Sequence, residues 1–207
     1  STLKSMGWKL SKAKEDRLVI FTERRETLKF LGENLGRDLG LKDEQFEVLH
    51  GGLSDVDQNR IVEEFGKAKA KIRVLLASDV ASEGLNLHYL CHRLIHFDMP
   101  WSLMVFQQRN GRVDRYGQTK APQIVYLRTN AKNEKIKGDN RILSVLKRKA
   151  EQAEKNIGDP SAFMHVYDVE QEEEITLKAV QDGVSEEVFD ASLEANLTDP
   201  FAMLLEN

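Results

Sequence analysis

Residues 74–87 read VLLASDVASEGLNL, an apolar run that stops at Ser78 and Asp79 and is followed by a short helical pattern and Gly84. Apolar residues without clean alternation predict a strand that is buried on both faces, as in a parallel sheet. A strand that leads into a helix presents free backbone N–H groups, which form a ready site for a phosphate. Taken alone, Ser78 or Asp79 is more simply explained as an N-cap.

Five short apolar runs alternate with helical patterns over the first 128 residues. The helical patterns cover residues 24–39, 54–67 and 102–115. The predicted strands are Leu18 to Thr22, Phe46 to His50, Ile72 to Ser78, Arg93 to Phe97 and Gln123 to Arg128. Strands that alternate with helices predict an α/β fold with a parallel, doubly wound sheet flanked by helices.

The chain divides by composition into four predicted segments. These are a polar lead-in at 1–16, the α/β lobe at 17–130, a basic helix that packs on the lobe or leaves it at 131–158, and an acidic helical extension at 159–207. Beyond the lobe, we expect individual helices near residues 139–157, 171–181 and 184–194.

The net charge of −4 conceals an asymmetry along the chain. The first 150 residues contain 28 basic and 19 acidic side chains. Residues 151–207 contain 2 basic and 15 acidic side chains. A basic body suits a polyanionic partner, and the acidic end would repel one. The acidic extension is either an element that binds a protein partner or inhibits the lobe, or a solvated cap.

Composition also excludes several classes of protein. Hydrophobic residues make up 41% of the chain and charged residues 31%, which is typical of a folded soluble domain. No apolar run reaches the roughly 18 residues of a membrane span, so we expect no membrane partner. The single cysteine, Cys91, predicts a small buried hydrophobe in a reducing, cytoplasmic setting. His88, His92 and His96 are evenly spaced, but His96 lies in a predicted strand, so we expect no metal site.

The most specific stretch is residues 107–118, QQRNGRVDRYGQ. Gln108, Gly111, Arg112 and Arg115 follow the spacing Gln-x-x-Gly-Arg-x-x-Arg, which places both arginines on one face of a helix or tight turn. Guanidinium groups are planar and permanently charged, so they can bind phosphate oxygens through paired hydrogen bonds. The alternative is an exposed helix whose arginines only add solubility, and the accompanying Gln, Gly and Tyr116 disfavour it.

Four segments resemble, in the correct order, motifs of the second RecA-like lobe of superfamily-II helicases and translocases. Residues 17–23 (RLVIFTE) resemble motif IV, residues 50–65 an HGxxSxxxRxxxxxxF segment with extra spacing before Arg60, residues 74–87 motif V, and residues 107–118 motif VI. The joint match over residues 17–128 is far more specific than any single motif. The endings Gly-Leu-Asn-Leu and Arg-x-x-Arg-x-Gly-Gln resemble the Swi/Snf branch, and residues 139–160 resemble bacterial relatives of the RapA type.

The resemblance implies a RecA-like fold, similar to P-loop NTPases, and a role for each matched residue. It implies that Arg112 and Arg115 are arginine fingers. Coupling of the nucleotide to the lobe interface is implied for Gln108, Gly84, Glu83 and Asp79. Contacts with a nucleic-acid backbone are implied for Thr22, Arg24, Arg25, Gly51, Ser78 and Asn86. ATP and Mg²⁺ would be shared with a first RecA-like lobe of the same polypeptide, and duplex DNA is the expected nucleic acid.

No GxxxxGK[ST] sequence occurs in the chain, and Asp43-Glu44-Gln45 precedes a strand whereas a DExH box would end one. We therefore expect the chain alone to hydrolyse ATP at no useful rate. Two other hypotheses stay open. One is a strand-separating helicase or the motor of a restriction or phage-defence system, and the other is a degenerate lobe that serves as a protein-binding scaffold.

Overall fold

The computed structural model describes residues 2–9, 16–79, 87–128, 143–144, 146–147 and 177. The helices predicted near 171–181 and 184–194, and most of the one near 139–157, lie outside these residues. The sheet belongs to the first of two compact units, Ser1–Pro100 with Met104–Thr129. The second unit comprises Trp101–Leu103 and Asn130–Asn207.

Five parallel strands form one sheet, which confirms the predicted fold class. They are β1 (Arg17–Phe21), β2 (Phe46–Leu49), β3 (Val74–Ala77), β4 (Cys91–His96) and β5 (Gln123–Tyr126). Each strand was predicted to within two residues at either end. Their spatial order is β2-β3-β1-β4-β5, so the chain changes direction across the sheet at β1. In such sheets, ligands bind beyond the carboxyl ends of the strands at this reversal.

Helices flank the sheet. They are α1 (Thr2–Ser5), α2 (Arg25–Asp38), α3 (Asp55–Gly66) and α4 (Leu103–Asn110), with a 3₁₀ turn at Asp43–Gln45. Ser54 caps α3, because its Oγ accepts a hydrogen bond from the backbone N–H of Asp57 at 3.2 Å. No helix in the described stretches combines the length and the apolarity needed to cross a bilayer.

Helix α4 is shorter than the helical pattern at 102–115 predicted. The backbone N–H of Gly111 still bonds to Gln107, but that of Arg112 bonds to Arg109, only three residues back. Glycine is a poor helix former, and the tighter bonds that follow it convert the chain into successive turns. The segment with Arg112 and Arg115 therefore forms turns after the end of α4. The sequence had predicted either a helix or a tight turn for these two arginines.

Each face of the sheet has its own hydrophobic core because successive side chains of a strand point to opposite faces. The first core includes Val19, Phe21, Leu75, Ile61 and Phe65, of which the last two come from α3. The second includes Leu18, Ile20, Leu76, Leu28 and Leu31, of which the last two come from α2.

The segment predicted as a polar lead-in contributes to the second core. Met6 and Trp8 are each only 5% exposed. The indole N–H of Trp8 donates to the main-chain oxygen of Asp16, and the Nε of Arg93 donates to that of Met6. Arg93 also forms an ion pair with Asp16. Met6 and Trp8 stand in a segment with four lysines that is polar on average, so only the structure revealed their role.

Candidate functional site

The polar residues that follow three neighbouring strands converge at the carboxyl edge of the sheet. Thr22 and Glu23 follow β1, Ser78 and Asp79 follow β3, and Asp98 lies two residues beyond β4. The three strands are hydrogen-bonded neighbours in the order β3-β1-β4. Their ends therefore lie side by side at the reversal point of the sheet.

Arg109, on α4, occupies the centre of this edge and is only 1% exposed. Its Nε and Nη2 donate to the two carboxylate oxygens of Asp79, each at 2.6 Å. Its Nη1 donates to the main-chain oxygen of Asp98 at 3.1 Å, and the guanidinium lies 5.8 Å from the ring centroid of Phe21. Paired hydrogen bonds between arginine and a carboxylate are both strong and directional, so they hold α4 against the end of β3.

Asp98 connects the same cluster to the end of β1. Its carboxylate accepts hydrogen bonds from the hydroxyl of Thr22 at 2.5 Å and from the backbone N–H of Glu23 at 3.0 Å. Thr22, which the resemblance assigned to nucleic-acid binding, is fully buried. The hydroxyl of Thr22 thus takes part in the cluster, and contact of Thr22 with a nucleic-acid backbone stays a prediction.

His96, the last residue of β4, adds a neutral polar group beside Arg109. Its Nε2 lies 2.8 Å from the side-chain oxygen of Asn110, and its ring stacks on Phe106 and Tyr126. Burial, together with the positive charge of Arg109, lowers the pKa of His96 to about 3, although the hydrogen bond that its Nε2–H donates to the Asn110 oxygen acts to raise that pKa. The imidazole is therefore neutral at physiological pH and can accept the hydrogen bond of the Arg109 Nη1, which lies 3.4 Å from its Nδ1.

A cleft of about 610 Å³ lies beside this cluster, and we call it the α2 cleft. It brings together three residues for which the resemblance implied backbone contacts: Arg25, Gly51 and Ser78. The Oγ of Ser78 is buried and has no hydrogen-bond partner in the described part of the chain, so it does not serve there as an N-cap. Glu23 also lines the cleft, and desolvation, together with the carboxylates of Asp98 and Asp79, raises the pKa of Glu23.

The other predicted site residues are distributed more widely. Gln108 and Arg115 are exposed, Arg112 is half-buried, and Arg24 is exposed at the N-cap position of α2. His50, at the end of β2, binds the backbone, because its Nδ1 accepts a hydrogen bond from the N–H of Gly52 at 3.1 Å. Three further residues to which roles were assigned lie outside the described residues: Glu83, Gly84 and Asn86.

The helicase conserved C-terminal domain family matches residues 2–117, which is more than half of the chain. The chain belongs to this family. Its match begins in the lead-in segment, where Met6 and Trp8 join the core, and ends just after the arginine-bearing turns.

Known relatives of this helicase C-terminal domain include bacterial helicases. It is 32% identical over 150 residues to the uncharacterized ATP-dependent helicase YqhH of Bacillus subtilis, a match that covers 72% of this chain and 25% of YqhH. It is 38% identical over 86 residues to the RNA polymerase-associated protein RapA of Yersinia enterocolitica, covering 41% of this chain and 9% of RapA. The chain therefore spans a quarter or less of each relative, and the predicted similarity to RapA is confirmed.

A solved structure shows the same fold. Domain 2 of the Mss116p DEAD-box helicase, bound to an RNA duplex, superposes with a TM-score of 0.53 over 71% of this chain and 50% of that chain, at 18% sequence identity. At this identity the likeness concerns the fold, and it confirms the RecA-like architecture of the helicase C-terminal domain.

Sequence reasoning missed two central residues, Arg109 and Asp98. Arg109 lies inside the quoted stretch 107–118, but the spacing argument considered only its neighbours. Asp98 lies two residues beyond β4, just as Asp79 lies two residues beyond β3. The sequence did contain a signal for this ion-pair cluster. Asp79 and Asp98 each follow a predicted strand, and Arg109 lies in the helical pattern that comes next.

The histidines do not form a metal site in the described part of the chain. Among those residues, no group of three or more His, Cys, Asp or Glu side chains is arranged to hold a metal ion. His96 is instead engaged by Asn110. Cys91 is buried, and burial raises the pKa of its thiol to about 12, so it behaves as a small hydrophobe, as predicted.

Proposed function

We propose that this helicase C-terminal domain is the second motor lobe of an ATP-dependent translocase that tracks along duplex DNA. The observation that carries the proposal is the buried pair between Arg109 and Asp79. Arg109 precedes Arg112 by three residues, and Asp79 directly follows Ser78. A movement of the arginine-bearing turns is therefore passed to the strand end that carries Ser78, as coupling between a nucleotide and a nucleic-acid strand requires.

In this proposal Arg112 and Arg115 act as arginine fingers, and Gln108 couples them to the lobe interface. The exposure of Arg115 supports the proposal because its guanidinium can be delivered to a ligand outside the lobe. Fixed guanidinium groups stabilise negative charge on phosphate oxygens, which can contribute roughly 10³ to 10⁵ in rate. Asp79 acts through Arg109, as a positioning residue, and Glu83 and Gly84 complete the coupling segment.

Contacts with the DNA backbone are proposed for residues on the α2 cleft and around it. Arg25 and the hydroxyl of Ser78, which has no hydrogen-bond partner among the described residues, are two donors that line the same cleft. Gly51 also lines the cleft, Arg24 precedes α2, and Asn86 follows the same motif as Ser78. Such contacts read the phosphate backbone and not the bases, so binding should depend little on sequence.

The chain fits one side of a nucleotide site. Its arginines suit phosphate oxygens, but its 207 residues contain no GxxxxGK[ST] loop to cradle phosphates and no DExH carboxylate to hold Mg²⁺. ATP with Mg²⁺, when bound, supplies the free energy of hydrolysis. We therefore assign the remaining ligands to a first RecA-like lobe of the same polypeptide, and we infer that the present chain alone is inactive.

The test is ATP turnover by the polypeptide that carries both lobes, with and without duplex DNA. We expect Arg112→Ala and Arg115→Ala to reduce DNA-stimulated turnover by roughly 10³-fold or more while ATP binding is retained. Arg37→Ala, an exposed arginine at the end of α2, is the matched control and should leave turnover unchanged. Unchanged turnover in both finger variants would refute the motor assignment and favour the scaffold hypothesis. A strand-displacement assay separates translocation from unwinding.

A further inference from the structure

The stretch at residues 107–118 ends in Gly117 and Gln118, to which the proposed function gives no role. Both follow Arg115 within three residues. Gln118 is half-buried, whereas Arg115 and Tyr116, earlier in the same turn, are exposed. A polar side chain that points inwards from an exposed turn requires partners, because a buried amide without hydrogen bonds is costly.

The side-chain amide of Gln118 binds the main chain at three places. Its Nε2 donates to the main-chain oxygen of Val113 at 3.0 Å and to that of Cys91 at 3.1 Å. Its Oε1 accepts a hydrogen bond from the backbone N–H of Lys120 at 3.0 Å. The bond to Val113 lies within the arginine-bearing turns, and the bond to Cys91 joins these turns to the first residue of β4.

The backbone of the turn brings Gln118 into this position. The N–H of Gln118 bonds to the main-chain oxygen of Arg115 at 3.0 Å. Gly117, between them, has a φ of 95°, a left-handed conformation that glycine adopts readily and other residues adopt at a cost. A Cβ built on Gly117 would lie 3.5 Å from the Nε2 of His88, so the turn packs against this buried ring just before β4.

The arginine-bearing turns are therefore held at three points. Arg109 pairs with Asp79 before them, and the fully buried side chain of Val113 packs in the first core in their middle. Gln118 binds Cys91 after them. A guanidinium that must meet a phosphate depends on such anchors, since a misplacement of about 1 Å can cost roughly 10²-fold in rate.

We propose that Gln118 is a positioning residue for Arg115. Its amide fixes the turn to the start of β4, so that the guanidinium of Arg115 is delivered to one place. This inference rests on the proposed function, in which Arg115 is an arginine finger, and extends it to the residue that sets the position of that finger. Because Gln118 acts through Arg115, loss of its amide should slow the reaction without weakening the binding of ATP.

The test compares ATP turnover by the two-lobe polypeptide, with duplex DNA, before and after Gln118→Met. Methionine keeps the length of the side chain and removes the amide. We expect kcat to fall about tenfold or more, while KM for ATP stays within about twofold. Gln58→Met is the matched control and should leave kcat within about twofold. Gln58 is also half-buried, and its amide also donates to a main-chain oxygen five residues earlier, that of Leu53 at 3.0 Å.

A double variant separates positioning from a general weakening of the fold. In an Arg115→Ala background, Gln118→Met should cause less than about a twofold further loss, because residues that act as a unit are not additive. Single-turnover measurements with enzyme in excess detect the low residual rate. A tenfold further loss there would overturn the inference. So would an unchanged kcat in Gln118→Met when Arg115→Ala alone is impaired.

Backbone hydrogen exchange in the same polypeptide tests the anchor independently of activity. Residues 113–118 should exchange about tenfold faster after Gln118→Met and at an unchanged rate after Gln58→Met. Equal exchange in all three proteins would contradict the anchoring role of Gln118. Unchanged turnover in Arg115→Ala together with faster exchange in Gln118→Met would instead refute the proposed function and leave the anchor standing, so the two failures are distinguishable.

Discussion

His96 and Arg109 are neighbours at the carboxyl edge of the sheet, yet burial affects their charges differently. Arg109 keeps its charge because Asp79 and Asp98 supply carboxylates on two sides. The neighbours of His96 are the amide of Asn110, the rings of Phe106 and Tyr126, and the cation Arg109. None of them carries a negative charge that would stabilise a protonated imidazole. At the residue scale, a buried base is thus neutral or charged according to its partners.

The neutral state of His96 predicts a pH dependence of stability. Its pKa is about 3 in the folded chain, against 6.5 for a free histidine. Above pH 6.5 the imidazole is neutral in both the folded and the unfolded chain, so it does not make the free energy of unfolding depend on pH. As the pH falls below 6.5, only the unfolded chain takes up this proton, so the free energy of unfolding should decrease by up to about 1.4 kcal/mol per pH unit.

Urea unfolding of the unsubstituted chain and of His96→Gln, at several values between pH 7.5 and 5, measures this contribution. The difference between the two free energies of unfolding should shrink as the pH falls, because glutamine does not titrate. Two curves that stay parallel over this range would show that His96 is not the group responsible.

At the scale of elements, one ion-pair cluster joins β1, β3, β4 and α4 at their ends. Asp79 follows β3, Asp98 follows β4 and contacts Thr22 after β1, and Arg109 on α4 contacts both carboxylates. The Asp79 and Asp98 side chains are only 22% and 23% exposed. Removing the arginine would leave two largely desolvated carboxylates close together without a cation.

We therefore expect Arg109→Met, which keeps most of the side-chain volume, to lower the free energy of unfolding by roughly 3–5 kcal/mol. Arg60→Met is the control, since Arg60 is 55% exposed and its ion pairs with Glu47 and Asp57 are 3.9 Å long. Exposed pairs of this kind contribute about 0–1 kcal/mol. Chemical denaturation of both variants at pH 7 gives the comparison, and equal losses would contradict the special role of Arg109.

At the scale of the whole molecule, basic residues outnumber acidic ones in the first 150 residues. Two of these basic residues, Arg25 and Lys29, line the α2 cleft. Binding through backbone phosphates releases condensed counterions, so affinity for duplex DNA should fall steeply with salt and depend little on base sequence. Each phosphate contact contributes about −0.9 to the slope of log K against log salt.

Titrations of the two-lobe polypeptide with duplex DNA, at salt concentrations between 50 and 200 mM, test this expectation. Arg25→Ala should reduce the magnitude of the slope by about one. Arg37→Ala changes an arginine at the opposite end of the same helix, is 74% exposed, and should leave the slope unchanged. Identical slopes for all three proteins would remove Arg25 from the DNA interface.

The sequence by itself determined those features that depend on local pattern. All five strands, the Ser54 cap and the burial of Cys91 could be predicted because each depends on a few consecutive residues or on the apolar character of one. The motif order could be read in the same way, and it indicated the family to which the chain belongs. Arg25, Gly51 and Ser78 were predicted as site residues and share one cleft, while their binding of phosphate stays a prediction.

Only the tertiary structure decided which distant side chains meet. Arg109 pairs with Asp79 across 30 residues, and Thr22 with Asp98 across 76, and these separations have no period that a sequence pattern could show. Their contact follows from the strand order β2-β3-β1-β4-β5, which places the ends of β3 and β4 on either side of β1. The spacing of residues along the chain predicts which side chains are neighbours within one helix or strand. Burial and ion pairing between elements depend instead on how the strands and helices assemble around the sheet.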